Sequence, residues 1–257
     1  MKISGKCTTY GRVEYLQEAL YSFINQDNLE DSQLVIVNDY PLQTLIFDHP
    51  NVKIFNLKET FKTIGEKDNF AIEQCDGDVI VTFDDDDIAL PNHLNNVRKF
   101  LMPDTDLLRW GNAVYYNEPN ITALTQVGNS GMIYTKNAWL KAGKHPIMNA
   151  GGDSVFSRTL EKIGNCDWGF PPDNEVSWFY RWGSIQNNKR NGIYHQSGKG
   201  DDLPGEEDII KRHSDHIEYL RKRGKIPTGE IVLKPMWFEN YSEMLKNYIK
   251  IGTSTTN

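Results

Sequence analysis

Residues 79–94 read VIVTFDDDDIALPNHL, and this stretch decides the fold class. Val79–Phe83 is short, β-branched and almost wholly apolar, which is typical of a strand covered on both faces of a parallel sheet. Four aspartates, Asp84–Asp87, follow it directly and are called the acidic segment here. Open α/β sheets bind ligands at the carboxyl ends of their strands. Adjacent carboxylates repel one another unless a cation or an array of donors compensates them, so the acidic segment predicts a ligand site.

The chemistry of the acidic segment favours a divalent cation, because oxygen ligands in this number suit Mg²⁺ or Mn²⁺. An EF-hand loop is excluded: Ala89 stands where its glycine belongs and Asn95 where its glutamate belongs. A prenyl-diphosphate DDxxD motif is excluded because Ile88 replaces the last aspartate. The remaining alternative is an acidic turn that only caps the helix expected from Pro91 onward.

Strands and helices alternate on both sides of this stretch. Arg12–Gln26 has the apolar spacing of an amphipathic helix. The other predicted elements of the first hundred residues are the strands Lys2–Thr9, Gln33–Asn38 and Val52–Leu57 and the helices Gly65–Cys75 and Pro91–Leu101. The first strand is unusually polar for a central strand and is expected mainly from context. This order predicts a doubly wound α/β unit.

Beyond Leu107 the pattern is looser. Gly131–Thr135 is expected as a strand, and Asp153–Ile163 and Gly205–Arg223 are expected as helices.

Composition excludes several classes of protein. The chain has 257 residues and a net charge of −7, so it predicts no nucleic-acid partner. Its apolar runs are far shorter than the ~20 residues that cross a bilayer, and no secretory signal opens it. Cys7, Cys75 and Cys166 are odd in number and lack metal-site spacing, which favours a reducing, cytoplasmic location.

Five segments in order make the chain similar to a known family. They are TTYGR (8–12), EALYSFINQ (18–26), VNDY (37–40), GEKDN (65–69) with Gly77 beyond it, and the acidic segment with Pro91 and Leu94. Together they resemble the GT-A glycosyltransferases, most closely the inverting enzymes of family 2. The resemblance covers about the first 100 residues, and although each segment is weak alone, the series is specific.

The resemblance implies a GT-A fold, in which a Rossmann-like nucleotide-binding sheet carries an appended acceptor-binding region. Residues 1–110 would bind the nucleotide sugar, 111–204 would form the acceptor and catalytic half, and 205–257 would be a helical extension. The expected activity is transfer of a sugar from a nucleoside-diphosphate donor, UDP-linked by preference, to a hydroxyl of a saccharide, a lipid-linked acceptor or a protein, with Mn²⁺ or Mg²⁺ as cofactor. A sugar nucleotidyltransferase and a non-catalytic binding module of the same fold are the alternatives. Donor sugar, acceptor, pathway and oligomeric state are not specified by the sequence.

The resemblance also assigns nucleotide-binding residues. Tyr10 would stack on the base, with Thr9 and Arg12 flanking the same pocket, and Asp39 would accept a hydrogen bond from base or ribose. Tyr10 could instead be a core tyrosine, and Asp39 could begin a turn before Pro41.

In the fourth segment Asp68 stands where the family commonly has arginine, so Lys67 is the candidate for that contact. Asp84 or Asp85 would lie near the ribose, and Asp86 would bind the metal.

A glycosyl transfer also needs a group that takes the proton of the acceptor hydroxyl. The segment Gly151–Phe156 matches the family pattern for this carboxylate, which makes Asp153 the candidate base; its alternative role is the N-cap of a helix over 154–163. His195 is a candidate second metal ligand, with Lys199 near the diphosphate, although a solvated loop histidine is as good an interpretation. Trp168, Trp178 and Trp182 could stack on an acceptor sugar or pack in the core.

Overall fold

The structure is a computed structural model, and it describes residues 1–117, 119–149, 151–181 and 221–254. In chain order its strands are β1 (Ile3–Thr9), β2 (Ser32–Asn38), β3 (Gln43–Ile46), β4 (Val52–Asn56), β5 (Val79–Thr82), β6 (Ile88–Ala89), β7 (Leu107–Trp110), β8 (Ala113–Asn117), β9 (Asn120–Thr125), β10 (Ile133–Thr135), β11 (Cys166–Gly169), β12 (Trp178–Arg181) and β13 (Gly229–Val232). Its helices are α1 (Val13–Ile24), α2 (Ile64–Gln74), α3 (His93–Phe100), α4 (Lys136–Lys141), α5 (Gly152–Ile163) and α6 (Tyr241–Ser254), with a 3₁₀ turn at Asp173–Glu175.

A seven-stranded sheet in the order β11-β7-β10-β5-β1-β2-β4 forms the centre of the molecule. The strands β4, β2, β1 and β5 run parallel, while β10 lies antiparallel between β5 and β7. Since β2 and β5 lie on opposite sides of β1, the strand order reverses beside β1. Ligands of such sheets bind at this reversal, at the carboxyl ends of the strands. The acidic segment follows β5 at this edge, and the TTYGR segment ends β1 there.

The helices cover the sheet because each has one apolar face. In α1 the residues Leu16, Ala19, Leu20 and Phe23 are buried at the spacing of one helical stripe. Helix α2 begins with a capping box: Thr63 accepts a hydrogen bond from the backbone of Glu66, whose carboxylate accepts one from the Thr63 amide. The cap fixes the position at which α2 meets the end of β1.

Two smaller sheets complete the fold. The order β6-β12-β8-β9 describes one sheet, and the parallel pair β3 and β13 forms the other. The second pairing brings residues 229–232 beside residues 43–46, so the C-terminal part of the chain packs on the nucleotide-binding half predicted from the sequence.

Most elements expected from the sequence agree with the structure, and the exceptions have identifiable causes. Helix α3 begins at His93 and not at Pro91, because Asn92 is its N-cap. Strand β3 was not expected, because Gln43 and Thr44 are polar and give no strand pattern in the sequence. The strand pairs with β13, which is distant in the chain. Of the helix expected at 205–223, residues 205–220 lie outside the described part of the chain.

Two further observations concern the cysteines and the helices. All three cysteines are free thiols. Among the described residues, none of the helices has the length and apolar character needed to cross a bilayer.

Candidate functional site

The acidic segment is a largely buried turn in which Asp85, Asp86 and Asp87 have different protein partners. Asp85 is fully buried and is bound by the Arg12 guanidinium through two nitrogens, one of them Nε at 3.1 Å from Oδ2. Arg12 Nη1 donates to Asp86 Oδ2 at 2.8 Å. Arg12, expected beside the nucleotide, therefore braces two adjacent carboxylates, which a single planar guanidinium can do through its separate N–H groups.

Asp87 is an anchor for the turn. Its Oδ1 accepts a hydrogen bond from the backbone amide of Arg181 at 2.8 Å, and its Oδ2 accepts one from the Ser130 hydroxyl at 2.7 Å. The Trp178 indole donates to the same hydroxyl. Both oxygens of Asp87 are thus occupied by the protein, and the turn is fixed to β12 and to the loop before β10.

The site carries more negative than positive charge. Among the described residues, the ion pairs of Asp68 and of the acidic segment involve two cations, Lys6 and Arg12. Lys67 and Arg181 also act on this segment, but each is paired with an acid of its own. Burial raises the pKa of Asp84 and the pKa of Asp85 to about 6. The charge of Lys6 offsets this effect only partly at Asp84, and the charge of Arg12 offsets it only partly at Asp85. Burial and the neighbouring carboxylates raise the pKa of Asp87 well above its ordinary value. A divalent cation would relieve this imbalance.

The other end of the site lies at the carboxyl ends of β1 and β2. The Tyr10 ring is half-buried and meets the Tyr40 ring edge to face, with 4.9 Å between centroids. Lys67 is buried; its ammonium lies 2.6 Å from the Thr9 carbonyl oxygen and 2.5 Å from Asp39 Oδ1. The structure thus brings together Thr9, Tyr10 and Asp39, which the resemblance assigned to the nucleotide, and places Lys67 beside them.

Two details of this end differ from the expected contacts. Asp39 Oδ2 accepts a hydrogen bond from the Phe61 amide at 3.0 Å, so both of its oxygens already have protein donors. Lys67, the candidate for the contact that arginine makes in the family, donates to Thr9 and Asp39 beside Tyr10. Its charge therefore lies with the aromatic pair, while the acidic segment is braced by Arg12.

A buried ion pair that the sequence did not predict joins β1 to α2. Lys6 in β1 donates to Asp68 Oδ1 at 2.8 Å, and the Thr8 hydroxyl donates to the same oxygen at 3.4 Å. The pair explains the lysine in the first strand, because Lys6 compensates an acid on α2. The signal was present in the sequence as a lysine in a strand that should be apolar, together with an aspartate in place of arginine.

Asp153 lies in the first turn of α5 with its side chain exposed. The N-cap is Gly151, which has a left-handed φ of 70°, so the interpretation of Asp153 as the N-cap is wrong. Ser154 accepts a hydrogen bond from the Asn129 side chain, next to the Ser130 that holds Asp87. The amino end of α5 is thereby tied to the loop that anchors the acidic segment.

A short loop before α5 joins that helix to α2. The Asn149 side chain accepts a hydrogen bond from the Ile64 amide at 3.0 Å, and the Asn69 side chain bonds both backbone groups of His145. A Cβ on Gly65 would come within 1.9 Å of the Pro146 carbonyl oxygen, so only glycine permits this approach. The amino ends of α2 and α5 therefore border the same side of the site.

The remaining candidates fall into three groups. His195, Lys199 and Trp182 lie outside the described residues. Trp178 is buried in the core, as one of its two interpretations held. Trp168 is on the edge strand β11 with 37% of its surface exposed and the Arg109 guanidinium over its ring.

The described residues contain no group of three histidine, cysteine or acidic side chains arranged to hold a metal ion without further ligands. A cation at the acidic segment would therefore need ligands beyond these side chains, such as diphosphate oxygens, water or the predicted His195.

Comparison with known proteins gives a consistent result. The family model described as glycosyl transferase family 2 matches residues 7–164. A relative from Bacillus subtilis (strain 168), named as the uncharacterized glycosyltransferase YwdF, is 32% identical over 104 residues, which are 38% of each chain. This chain thus spans well under half the length of that curated relative.

Solved structures show the same fold. S. aureus TarS 1–349 in complex with UDP-GlcNAc has a TM-score of 0.60 at 18% identity, covering 87% of this chain and 75% of that one. The same TarS fragment, described with no ligand, has a TM-score of 0.55 at 19% identity, and the match covers 70% of this chain and 60% of that one. The mannosyltransferase PcManGT from Pyrobaculum calidifontis, in complex with GDP-Man and Mn²⁺, has a TM-score of 0.52 at 13% identity, with coverages of 87% and 72%. The α/β class and the GT-A fold expected from the sequence are confirmed.

Proposed function

This chain belongs to glycosyl transferase family 2, and we propose that it is a metal-dependent, inverting glycosyltransferase that uses a UDP-linked sugar. The observation that carries this proposal is the acidic segment at the strand-order reversal: in the described part of the chain, its four carboxylates and Asp68 form ion pairs with only two cations, Lys6 and Arg12. Such a site attracts a divalent cation together with a diphosphate. The acceptor is a hydroxyl of a saccharide, a lipid-linked molecule or a protein.

Binding of the nucleotide follows from the two ends of the site. Tyr10 offers an aromatic ring beside Tyr40, and Asp39 lies at the end of the neighbouring strand, held by Lys67. An aromatic ring and a fixed carboxylate suit a base and its hydrogen-bond donors. UDP and UDP-GlcNAc are bound by TarS, whose fold this chain shares, and this supports the choice of UDP.

The residues of the acidic segment fit a divalent cation. Asp86 is a hard oxygen ligand at a site with excess negative charge, and His195 would add a nitrogen ligand. The bound metal would neutralise charge on the departing diphosphate. Arg12 keeps Asp85 and Asp86 fixed, and Asp87 keeps the turn fixed to β12 and Ser130.

The transfer step assigns a role to Asp153. The acceptor oxygen attacks the anomeric carbon from the side opposite the diphosphate, a new carbon–oxygen bond forms, and the bond to the phosphate oxygen breaks with its electron pair leaving on UDP. The hydroxyl proton goes to the Asp153 carboxylate. Its exposure in the first turn of α5 is compatible with approach of an acceptor from solvent.

Nucleotide binding is expected to depend on the metal. UDP should raise the melting temperature clearly with Mn²⁺ and only weakly in chelator, because the carboxylates otherwise repel the diphosphate. A thermal-shift titration measures this. Asp86→Ala should abolish the increment due to Mn²⁺, while Asp104→Ala, an exposed aspartate away from the site, should retain it. Equal stabilisation by UDP with and without metal would contradict the metal assignment.

Transfer is expected to depend on the Asp153 carboxylate. Asp153→Asn keeps the shape of the side chain and removes the proton acceptor, so UDP affinity with Mn²⁺ should hardly change while turnover falls by ~10²-fold or more. Hydrolysis of the donor gives a first readout, and transfer to an identified acceptor gives the stricter one. Asp167→Asn, an exposed aspartate on β11, is the matched control. A variant at position 153 with the parental rate would place the base elsewhere.

A further inference from the structure

The buried pair Lys6–Asp68 occupies a distinctive place in the site. Two consecutive residues of α2 point to different ends: Lys67 bonds Thr9 and Asp39 beside the aromatic pair, and Asp68 bonds Lys6 and Thr8. Asp68 also lies near Asp84, because its charge is one of the causes that raise the pKa of Asp84. Asp68 is therefore on the side of the acidic segment, away from the base.

The same side is where α5 begins. Asn69, next to Asp68, holds the backbone of His145, and the loop from His145 to Asn149 leads directly into α5 and Asp153. In an extended nucleotide sugar the order is base, ribose, diphosphate and sugar. With the base at Tyr10 and the acceptor side at the amino end of α5, the sugar falls between them, where Asp68 borders the site.

The chemistry of Asp68 fits a contact with that sugar. Its side chain is 15% exposed, in contrast to 5% for Lys6. Oδ1 accepts from Lys6 and Thr8, whereas Oδ2 accepts no hydrogen bond from the residues that the structure describes. The bonds to Oδ1 hold the carboxylate in place, and Oδ2 remains able to accept a hydrogen bond from a hydroxyl group.

We propose that Asp68 selects the donor sugar: its Oδ2 accepts hydrogen bonds from hydroxyls of a neutral sugar, and its charge disfavours donors whose sugar carries a carboxylate. The inference rests on the proposed function, because it concerns the sugar of the same nucleotide donor. Two like charges in a partly buried site repel more strongly than in water, so a uronic-acid sugar is poorly tolerated next to Asp68 and Asp84.

The test compares three probes with Mn²⁺ by titration calorimetry: UDP, UDP-glucose and UDP-glucuronic acid. The parent should bind UDP-glucose about tenfold more tightly than UDP-glucuronic acid, and Asp68→Asn should reduce that ratio to near one. The affinity for UDP should change less than twofold. Asp76→Asn, an exposed aspartate before the amino end of β5, is the matched control and should keep the parental ratio.

A second variant covers the case in which Asp68→Asn leaves Lys6 buried without its partner and fails to fold. Lys6→Met with Asp68→Asn removes both charges and should show the same loss of discrimination. If UDP binds with Mn²⁺ but neither variant changes the ratio, Asp68 is only a structural partner of Lys6 and the inference is overturned alone. If the parent does not bind UDP with Mn²⁺, the proposed function fails and this inference with it.

Discussion

At the scale of single residues, the site combines groups that are held in unfavourable charge states. Asp84 is half-buried beside Asp86 and Asp68, with Lys6 as its main attractive neighbour. The pKa of Asp84 is raised to about 6, chiefly by burial. The folded protein therefore binds a proton at Asp84 more readily than the unfolded chain does. The stability that this proton provides is complete at pH below the ordinary value near 4 and is lost as pH rises through about 6.

Asp84→Asn should accordingly stabilise the metal-free protein at pH 8, where the parent carries an unfavourable charge. The expected gain in the free energy of unfolding is about 1–2 kcal/mol, and it should disappear near pH 4. Urea unfolding at the two pH values measures the difference, with Asp104→Asn as the exposed control. A gain that is equal at both pH values would contradict this account.

The same residues show what the sequence could predict of the site. The acidic segment was identified from its position after an apolar strand, because strand ends converge on one edge of a parallel sheet. Tyr10 and Asp39 were assigned from the resemblance to family 2. The bonds of Arg12 to Asp85 and Asp86 and the pairing of Lys6 with Asp68 could not be predicted, since each joins residues more than 60 positions apart. The periodicity of apolar residues indicates which residues are buried. It does not indicate which charged residues, distant in sequence, form ion pairs with each other.

At the scale of elements, α6 is joined to the site by a buried polar network. The Arg181 guanidinium lies between the Glu18 carboxylate and the Tyr241 hydroxyl at 2.8 and 2.9 Å, and that hydroxyl donates to Glu18 at 2.6 Å. The Arg181 backbone amide holds Asp87. One residue thus connects α1, α6 and the acidic segment.

Tyr241→Phe should weaken this network while preserving the ring. The variant leaves a buried carboxylate and guanidinium with one partner fewer, and the free energy of unfolding should fall by about 1–3 kcal/mol. Tyr248→Phe, on the same helix and half-buried, should change it by less than about 0.5 kcal/mol. Chemical denaturation followed by circular dichroism measures both. Equal effects of the two substitutions would show that the hydroxyl of Tyr241 is energetically unimportant.

The elements themselves were predictable where an apolar pattern repeats locally. Helices α1 and α2 and strands β2 and β5 agree with the sequence within about two residues. Strand β3 was missed because its partner β13 lies almost 190 positions away, and the N-cap of α5 was misassigned because Gly151 provides a left-handed turn. Both errors concern backbone conditions that side-chain periodicity does not encode.

At the scale of the whole molecule, the C-terminal part of the chain completes the predicted nucleotide-binding half. Ile226 packs against Tyr40, and the Tyr40 ring also contacts the Tyr10 ring. The Gln43 side chain donates a hydrogen bond to the Pro227 carbonyl oxygen at 2.7 Å. The division at residues 110 and 204 remains a prediction, as does a cytoplasmic location. The described part of the C-terminal region therefore lies next to the aromatic pair Tyr10 and Tyr40, which we propose binds the base.

The parallel pairing of β3 with β13 has a consequence for the order in which the protein forms. Contacts between residues so distant in sequence form slowly. The long intervening loop must lose conformational entropy before the strand pairing contributes any stability. During synthesis the first strands leave the ribosome well before Ile226 and Tyr241 do. Until then, Tyr40 lacks its contact with Ile226 and Glu18 lacks its contact with Tyr241. We therefore expect the nascent chain to acquire its nucleotide affinity late, after the segment that contains β13 has emerged.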